Sequence, residues 1–221
     1  MEQQRDQSQT EATPIPFTGY VLAGGQSTRM GRDKALLEIG GQPLIRSAVN
    51  LLKALTGRVA ILGPAENYSF LGVPVLPDLV PSRGPLSAIY TGLERSGTTV
   101  NLFLACDMPL MEGTFLKLLV ERALLADAVL MRLDDGSLEP LCAVYNRSCL
   151  PTVKANYENR RFKLSDLFPK LRTQYLTESD LQDLGLDRRI FTNLNDPGDL
   201  EQWGISVTGK CEKASSSAAE E

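Results

Sequence analysis

Short apolar runs alternate with amphipathic stretches along most of this chain, and that alternation restricts its fold more than any other feature. "FTGYVLA", "RVAIL", "VPVL", "TVNLFLAC" and "AVLMRL" read as strands, while "QPLIRSAVNLLKAL", "PLSAIYTGLER" and "GTFLKLLVERALL" carry the helical period between them. The order predicts an α/β fold, a Rossmann-like, mostly parallel sheet with helices on both faces. Further on, "LEPLCAVYN" reads as a strand, "CLPTVKANYE" as a helix begun by Pro151, and "LRTQYL" as a strand. "DPGDLEQW" reads as a helix start capped near Asn195 or Asp196. Residues 17–206 contain no repeat and no Pro/Gly/Ser linker, so the 221-residue chain is expected to hold one domain. Residues 1–16 and 207–221 are polar and poor in apolar side chains, and both are expected to be disordered tails.

Composition removes several function classes. A net charge of −4 offers no general attraction for nucleic acid or an anionic membrane, so any anion must be gripped locally. The chain has no histidine, which excludes a Ser/His/Asp triad, a Cys/His pair and any histidine-bearing metal site. Cys106, Cys142, Cys149 and Cys211 form neither CxxC pairs nor a secreted-type disulfide framework, and they read as reduced thiols. No run approaches the roughly 18 apolar residues of a membrane span, and Met1 to Pro16 lacks the basic start and apolar middle of a signal peptide. A cytoplasmic location is expected.

The stretch "LAGGQSTRMGRDK", Leu22 to Lys34, follows the first predicted strand directly. In α/β sheets ligands bind outside the carboxyl ends of the strands, which makes this loop a candidate site by position alone. Gly24 and Gly25 let the backbone turn sharply and bring its N–H groups close to phosphate oxygens, while Arg29, Arg32 and Lys34 supply positive charge. Spacing rules out two familiar phosphate loops. Gly25 is followed by five residues before Gly31, and Arg32 stands where a P-loop needs lysine; Gly24 and Gly25 are adjacent where a dinucleotide fingerprint needs GxGxxG. A glycine-rich turn with solvated basic residues would look the same on these grounds.

The pattern LAGGxSxRMGxxK resembles the signature of the nucleotidyltransferases that activate small phosphorylated compounds, specifically the molybdenum cofactor guanylyltransferases, MobA-like enzymes of nucleotide-diphospho-sugar transferase-like fold. Three more pieces match in that family's order: "PDLVPSRGPLSAIYTGL" from Pro77, "LACDMPLM" from Leu104 and "NLNDPGDL" from Asn193. The resemblance spans about the whole core. It implies that Leu22, Ala23, Gly24, Gly25, Lys34, Asp78 and Asp107 bind the nucleotide, and that Lys34, Asp107 and Arg29 serve the reaction.

Asp107 follows the strand "TVNLFLAC" and should face the same sheet edge as the first loop, where a hard oxygen ligand could hold Mg²⁺ beside phosphate and water. It lies too early to cap the helix that begins near Gly113. The resemblance puts Asp78 at the nucleotide, although a loop carboxylate capping a turn is equally open to it. Lys34 can neutralise the β and γ oxygens of a triphosphate and Arg29 can add a forked contact. Attack by an ionised acceptor phosphate on an α-phosphorus needs no general base, so the missing histidine suits this chemistry.

For substrates, the resemblance implies GTP donating GMP to the phosphate of molybdenum-molybdopterin, and as protein partners the molybdenum cofactor biosynthesis proteins or molybdoenzyme chaperones. Cytidylyl relatives typically read LAAG where this chain has Gly24 and Gly25, and the second glycine leaves room for a purine. A cytidylyl or sugar-phosphate nucleotidylyltransferase using the same loop is the alternative. Two departures stand out: Gly63 and Pro64 replace an Asn-rich turn that helps to read the nucleotide, and Asn193, Asn195, Asp196 and Pro197 replace an Asn-x-Asn-Thr-Pro run. Asn195 suits a metal-bound water or the acceptor phosphate, or simply a helix cap. The basic cluster "NRRFKL", with Arg160 and Arg161, reads equally as an acceptor contact or a solvated face.

Overall fold

A computed structural model describes residues 15–24, 33–64 and 67–194. Seven strands form one sheet: β1 (Phe17–Leu22), β4 (Val59–Leu62), β5 (Val75–Leu76), β6 (Val100–Ala105), β7 (Ala128–Arg132), β8 (Leu138–Tyr145) and β9 (Thr173–Leu176). Two further strands, β2 (Glu38–Ile39) and β3 (Gln42–Pro43), make a small hairpin outside it, turning through Gly40 and Gly41, both at positive φ. The main sheet runs β5-β4-β1-β6-β8-β7-β9. β8 is antiparallel to both neighbours, and the other pairings are parallel. The mostly parallel α/β sheet read from the sequence is the one observed.

Strands β4 and β6 are buried along their whole length, as strands covered on both faces must be. On one face lie α1 (Leu44–Lys53) and α3 (Gly113–Arg122). Helix α1 turns Leu44, Ile45, Ala48, Val49 and Leu52 inward, an apolar stripe at the 3.6-residue period. Leu52 packs so closely on β1 that a Cβ on Gly19 would stand 3.2 Å from its Cδ1. Burying a leucine of this kind is worth about 1.5–3 kcal/mol. The other face carries α2 (Pro85–Arg95) and α4 (Leu150–Glu158), with Leu86, Ile89, Leu93 and Val153 set against Tyr20, Phe103 and Tyr145. A short α5 (Glu178–Asp183), closed by a Thr177–Asp180 capping box, was not anticipated from the sequence.

The predicted third helix ends as α-helix at Arg122 and continues as a 3-10 turn to Leu125. Helix α4 starts at Leu150 with Pro151 in its first turn, where the missing proline N–H costs no hydrogen bond. The helix start expected at "DPGDLEQW" and both expected tails lie outside the described residues. Cys106, Cys142 and Cys149 are free thiols, the last two buried. Among the described residues no helix is long and apolar enough to cross a membrane.

Candidate active site

The carboxyl ends of β1, β4 and β6 lie side by side, because Leu22 pairs with both Leu62 and Ala105. Backbone bonds carry this register one step past the strands: the Ala23 amide donates to Leu62 O at 2.9 Å, and the Cys106 amide to Leu22 O at 3.2 Å. Residues 23–24 and 106–107 therefore emerge together at one sheet edge. The chain leaves β1 there, and re-enters the described structure at Asp33 beside the same edge.

Asp33 begins a 3-10 turn, Lys34–Leu36, accepting the Ala35 amide on Oδ1 at 3.1 Å. This cap aims Lys34 back across the sheet edge, where its Nζ lies 2.6 Å from Asp107 Oδ2. The second oxygen, Asp107 Oδ1, is buried and has no hydrogen-bond partner among the described residues. A buried, anionic, unsatisfied oxygen is costly unless a ligand completes it. Nearby charge registers on Cys106: burial, with Asp107 and Asp33 beside it, pushes its thiol up to about 12. It is a space-filling group rather than a nucleophile.

These residues line a cavity of about 230 Å³, together with Ala23, Gly24, Pro85 and Leu141. A second cavity of about 310 Å³ adjoins it, sharing Gly24 and Ala88, and is lined by Gly63, Pro64, Asp78, Ser82 and Gly84. Together they form one groove over the carboxyl ends of the strands, of the size that holds a small-molecule ligand. Gly24 and Ala88 sit at the junction.

The N-terminus of α2 points at this groove. Gly84, at φ 80°, precedes Pro85, and no side chain caps the first turn. A helix start of this kind presents N–H groups and partial positive charge to an anion. The Asp78 loop is tied to the same helix: the Leu79 amide donates to Thr91 Oγ1 at 3.0 Å and the Arg83 amide to Ser87 Oγ at 2.9 Å. Burial pushes the Asp78 carboxyl up, with Ser82 opposing. Ser87 and Thr91 are fully buried, and their part in holding this loop was invisible in the sequence, where they read as ordinary helix residues.

The structure thus brings Leu22, Ala23, Gly24, Lys34, Asp78 and Asp107 to one groove. Gly25, Arg29 and Asn195 lie outside the described residues; the approach to Asn195 runs beside the site, since the Leu194 amide donates to Asp107 O at 2.8 Å. Arg160 and Arg161 are exposed beyond the end of α4 and line neither cavity. Sequence reasoning missed Glu139 on β8, whose carboxyl is raised to about 7 by burial and by the charges of Asp107 and Asp135. It also missed Tyr68, whose hydroxyl reaches Asp33 Oδ2 at 2.7 Å and Ala23 O at 3.1 Å.

The donor set fits a divalent cation of the hard kind. Among the described residues Asp107 Oδ1 is a carboxylate oxygen with no hydrogen-bond partner, and no cluster of three or more carboxylates or thiols would enclose the ion. A divalent cation here would keep most of its shell for water and phosphate oxygens.

Comparisons with known proteins give the family and the fold. The family profile of the MobA-like NTP transferase domain matches residues 19–173. A protein of Pelotomaculum thermopropionicum named "probable molybdenum cofactor guanylyltransferase" is 36% identical over 187 residues, covering 84% of this chain and 91% of that one. The molybdenum cofactor guanylyltransferase of Vibrio atlanticus is 32% identical, covering 86% of this chain and 97% of its own. Among solved structures, molybdopterin-guanine dinucleotide biosynthesis protein A from Archaeoglobus fulgidus superposes with a TM-score of 0.72 at 22% identity, over 84% of this chain and 95% of the other, which supports the fold.

Proposed function

The chain belongs to the MobA-like NTP transferase family, and from that premise we propose that it transfers GMP from GTP to the phosphate of molybdopterin carrying molybdenum, releasing pyrophosphate and forming the guanine dinucleotide cofactor. The observation that carries this reading is the Lys34–Asp107 pair, set at 2.6 Å across the ends of two adjacent strands with one Asp107 oxygen left over. An ammonium, a carboxylate that would hold a cation, and a glycine backbone on one sheet edge suit a triphosphate.

In this reading the triphosphate lies along Gly24 and the N-terminus of α2, with Lys34 neutralising its outer oxygens. Arg29 and Gly25 extend the grip from the loop. Asp107 holds a divalent metal, proposed here as Mg²⁺, which when bound supplies charge stabilisation at the reacting phosphate. The nucleoside occupies the arm lined by Asp78, whose carboxyl accepts hydrogen bonds from base or ribose. Leu22 and Ala23 supply the floor. The acceptor phosphate attacks in line, so that the P–O bond to pyrophosphate breaks as the new one forms, and the chain's residues orient and stabilise rather than move a proton. The reading carries with it a cytoplasmic location and transient contacts with the proteins that deliver and collect the cofactor.

Pyrophosphate release from GTP, CTP and ATP, measured with metal-loaded molybdopterin and Mg²⁺, tests the proposal. Release from GTP well above the others is expected; equal use of CTP would favour a cytidylyl enzyme instead.

A further inference from the structure

We infer that Tyr68 is a positioning residue: its hydroxyl ties together the two ends of the glycine-rich loop and, through Asp33, holds the turn that carries Lys34. The inference rests on the nucleotide-binding reading of the groove only for its functional consequence. Its geometry stands by itself.

Ala23 and Asp33 bracket the loop, and Tyr68 touches both, at 3.1 Å to Ala23 O and 2.7 Å to Asp33 Oδ2. The ring is 1% exposed, packed in the α1 side of the core, so its place as filler would be served equally by phenylalanine. The hydroxyl is the informative part. A phenol has one proton to donate and both neighbours are acceptors, so the hydroxyl serves them as a shared, three-centre bond whose shorter, charge-assisted arm goes to Asp33 Oδ2 and whose weaker arm goes to Ala23 O. Asn67 adds a second donor, with its Nδ2 3.2 Å from the same Asp33 oxygen. With Oδ2 held in this way, Oδ1 stays aligned on the Ala35 amide, and the 3-10 turn begins where Lys34 can reach Asp107.

The corner after β4 makes this reach possible. A Cβ on Gly63 would stand 2.9 Å from Ala23 O and 3.2 Å from Tyr68 Cε2, so a side chain there would push Tyr68 away from the loop. The Gly63–Pro64 departure from the Asn-rich turn of the resembled family thereby acquires a role: it serves the phosphate loop. Burial and the Asp33 carboxylate both push the Tyr68 phenol up, which keeps it a donor throughout the working pH range.

The test is Tyr68→Phe in the full chain, with Asp33→Ala and the double variant beside it. Hydrogen exchange at the Ala35, Leu36 and Leu37 amides should quicken about tenfold in Y68F while β1 and β6 stay protected, a change expected when a local cap opens without global unfolding. GTP affinity should weaken about tenfold, and the double variant should be no worse than D33A alone, because both act on one bond. Unchanged exchange at Ala35–Leu37 in Y68F overturns the proposal. So does unchanged GTP affinity in Y68F when the parent binds GTP. A parent that binds no nucleoside triphosphate would refute the functional reading instead, and the exchange rates alone then decide whether Tyr68 holds the turn.

Discussion

Lys34 and Asp107, 73 residues apart in sequence, meet at 2.6 Å between Nζ and Oδ2, with side chains only 21% and 22% exposed. Lys34 lies in the turn that follows the loop after β1, and Asp107 lies just past β6, the neighbour of β1 in the sheet, so the pair bridges the end of the first loop and the end of the central strand. An exposed ion pair would contribute little. This one has a second carboxylate oxygen that is buried and has no hydrogen-bond partner among the described residues, and on the proposed reading its purpose is chemical rather than stabilising.

Replacement of Asp107 by alanine should lower nucleotidyl transfer about 100- to 1,000-fold, the loss typical of a group that stabilises charge in the transition state. Folding stability should change by about 1 kcal/mol or less, since the pair retains partial exposure. Pyrophosphate release and thermal unfolding measured on the same sample check both parts; full activity would remove Asp107 from the mechanism.

Asp78→Asn should raise KM for the nucleotide about tenfold with a much smaller effect on kcat. Its residue lines the arm of the groove that does not include Lys34 and Asp107, where on the proposed reading contacts with base or ribose would be the same in ground and transition states. Steady-state kinetics with varied GTP separate the two parameters, and a pure kcat effect would move Asp78 to the reacting centre.

Gly92→Ala probes the core beneath α2. The added Cβ would stand 2.7 Å from Phe103 Cε1 and 3.2 Å from Leu62 Cδ1, both fully buried. Overpacking of this kind costs about 1–3 kcal/mol. Urea unfolding should show that loss; a neutral substitution would mean that Phe103 has room to turn.

Glu139 makes stability depend on pH. Its folded carboxyl titrates at about 7 against an ordinary value of 4.5, so the folded state holds a proton that the unfolded chain releases. The folded state is therefore favoured below about pH 4.5, and that advantage is lost as pH rises through 7. Partial exposure of the side chain screens much of the penalty, leaving about 1 kcal/mol. Glu139→Gln should remove this slope, so that urea unfolding at pH 5 and pH 7.5 shows the parent losing about that much relative to the variant. Parallel curves would refute it.

Much of the fold was legible in the sequence because each strand and helix carries its own period. The buried runs of β4 and β6 and the stripe of α1 are local patterns, readable one segment at a time. The reversal of β8 was less evident. It follows from the short Leu133–Ser137 connection, closed by Gly136 at φ 84°, because two strands joined so tightly have to run antiparallel. The Asp135–Gly136 pair was the available signal.

Sequence alone marked where an anion is expected to be held: a glycine-rich basic loop behind an apolar strand, in a chain with no histidine and no general positive charge. It also marked Asp107 and Asp78 by their places at strand ends. Which of these residues meet was decided only by tertiary structure. Strand order and register bring Lys34 to Asp107, and the Gly63 corner brings Tyr68 under Asp33, contacts spanning 73 and 35 residues. Local periodicity sets which face of an element is apolar, but it carries no record of which element becomes the neighbour; that is settled by packing the whole sheet at once.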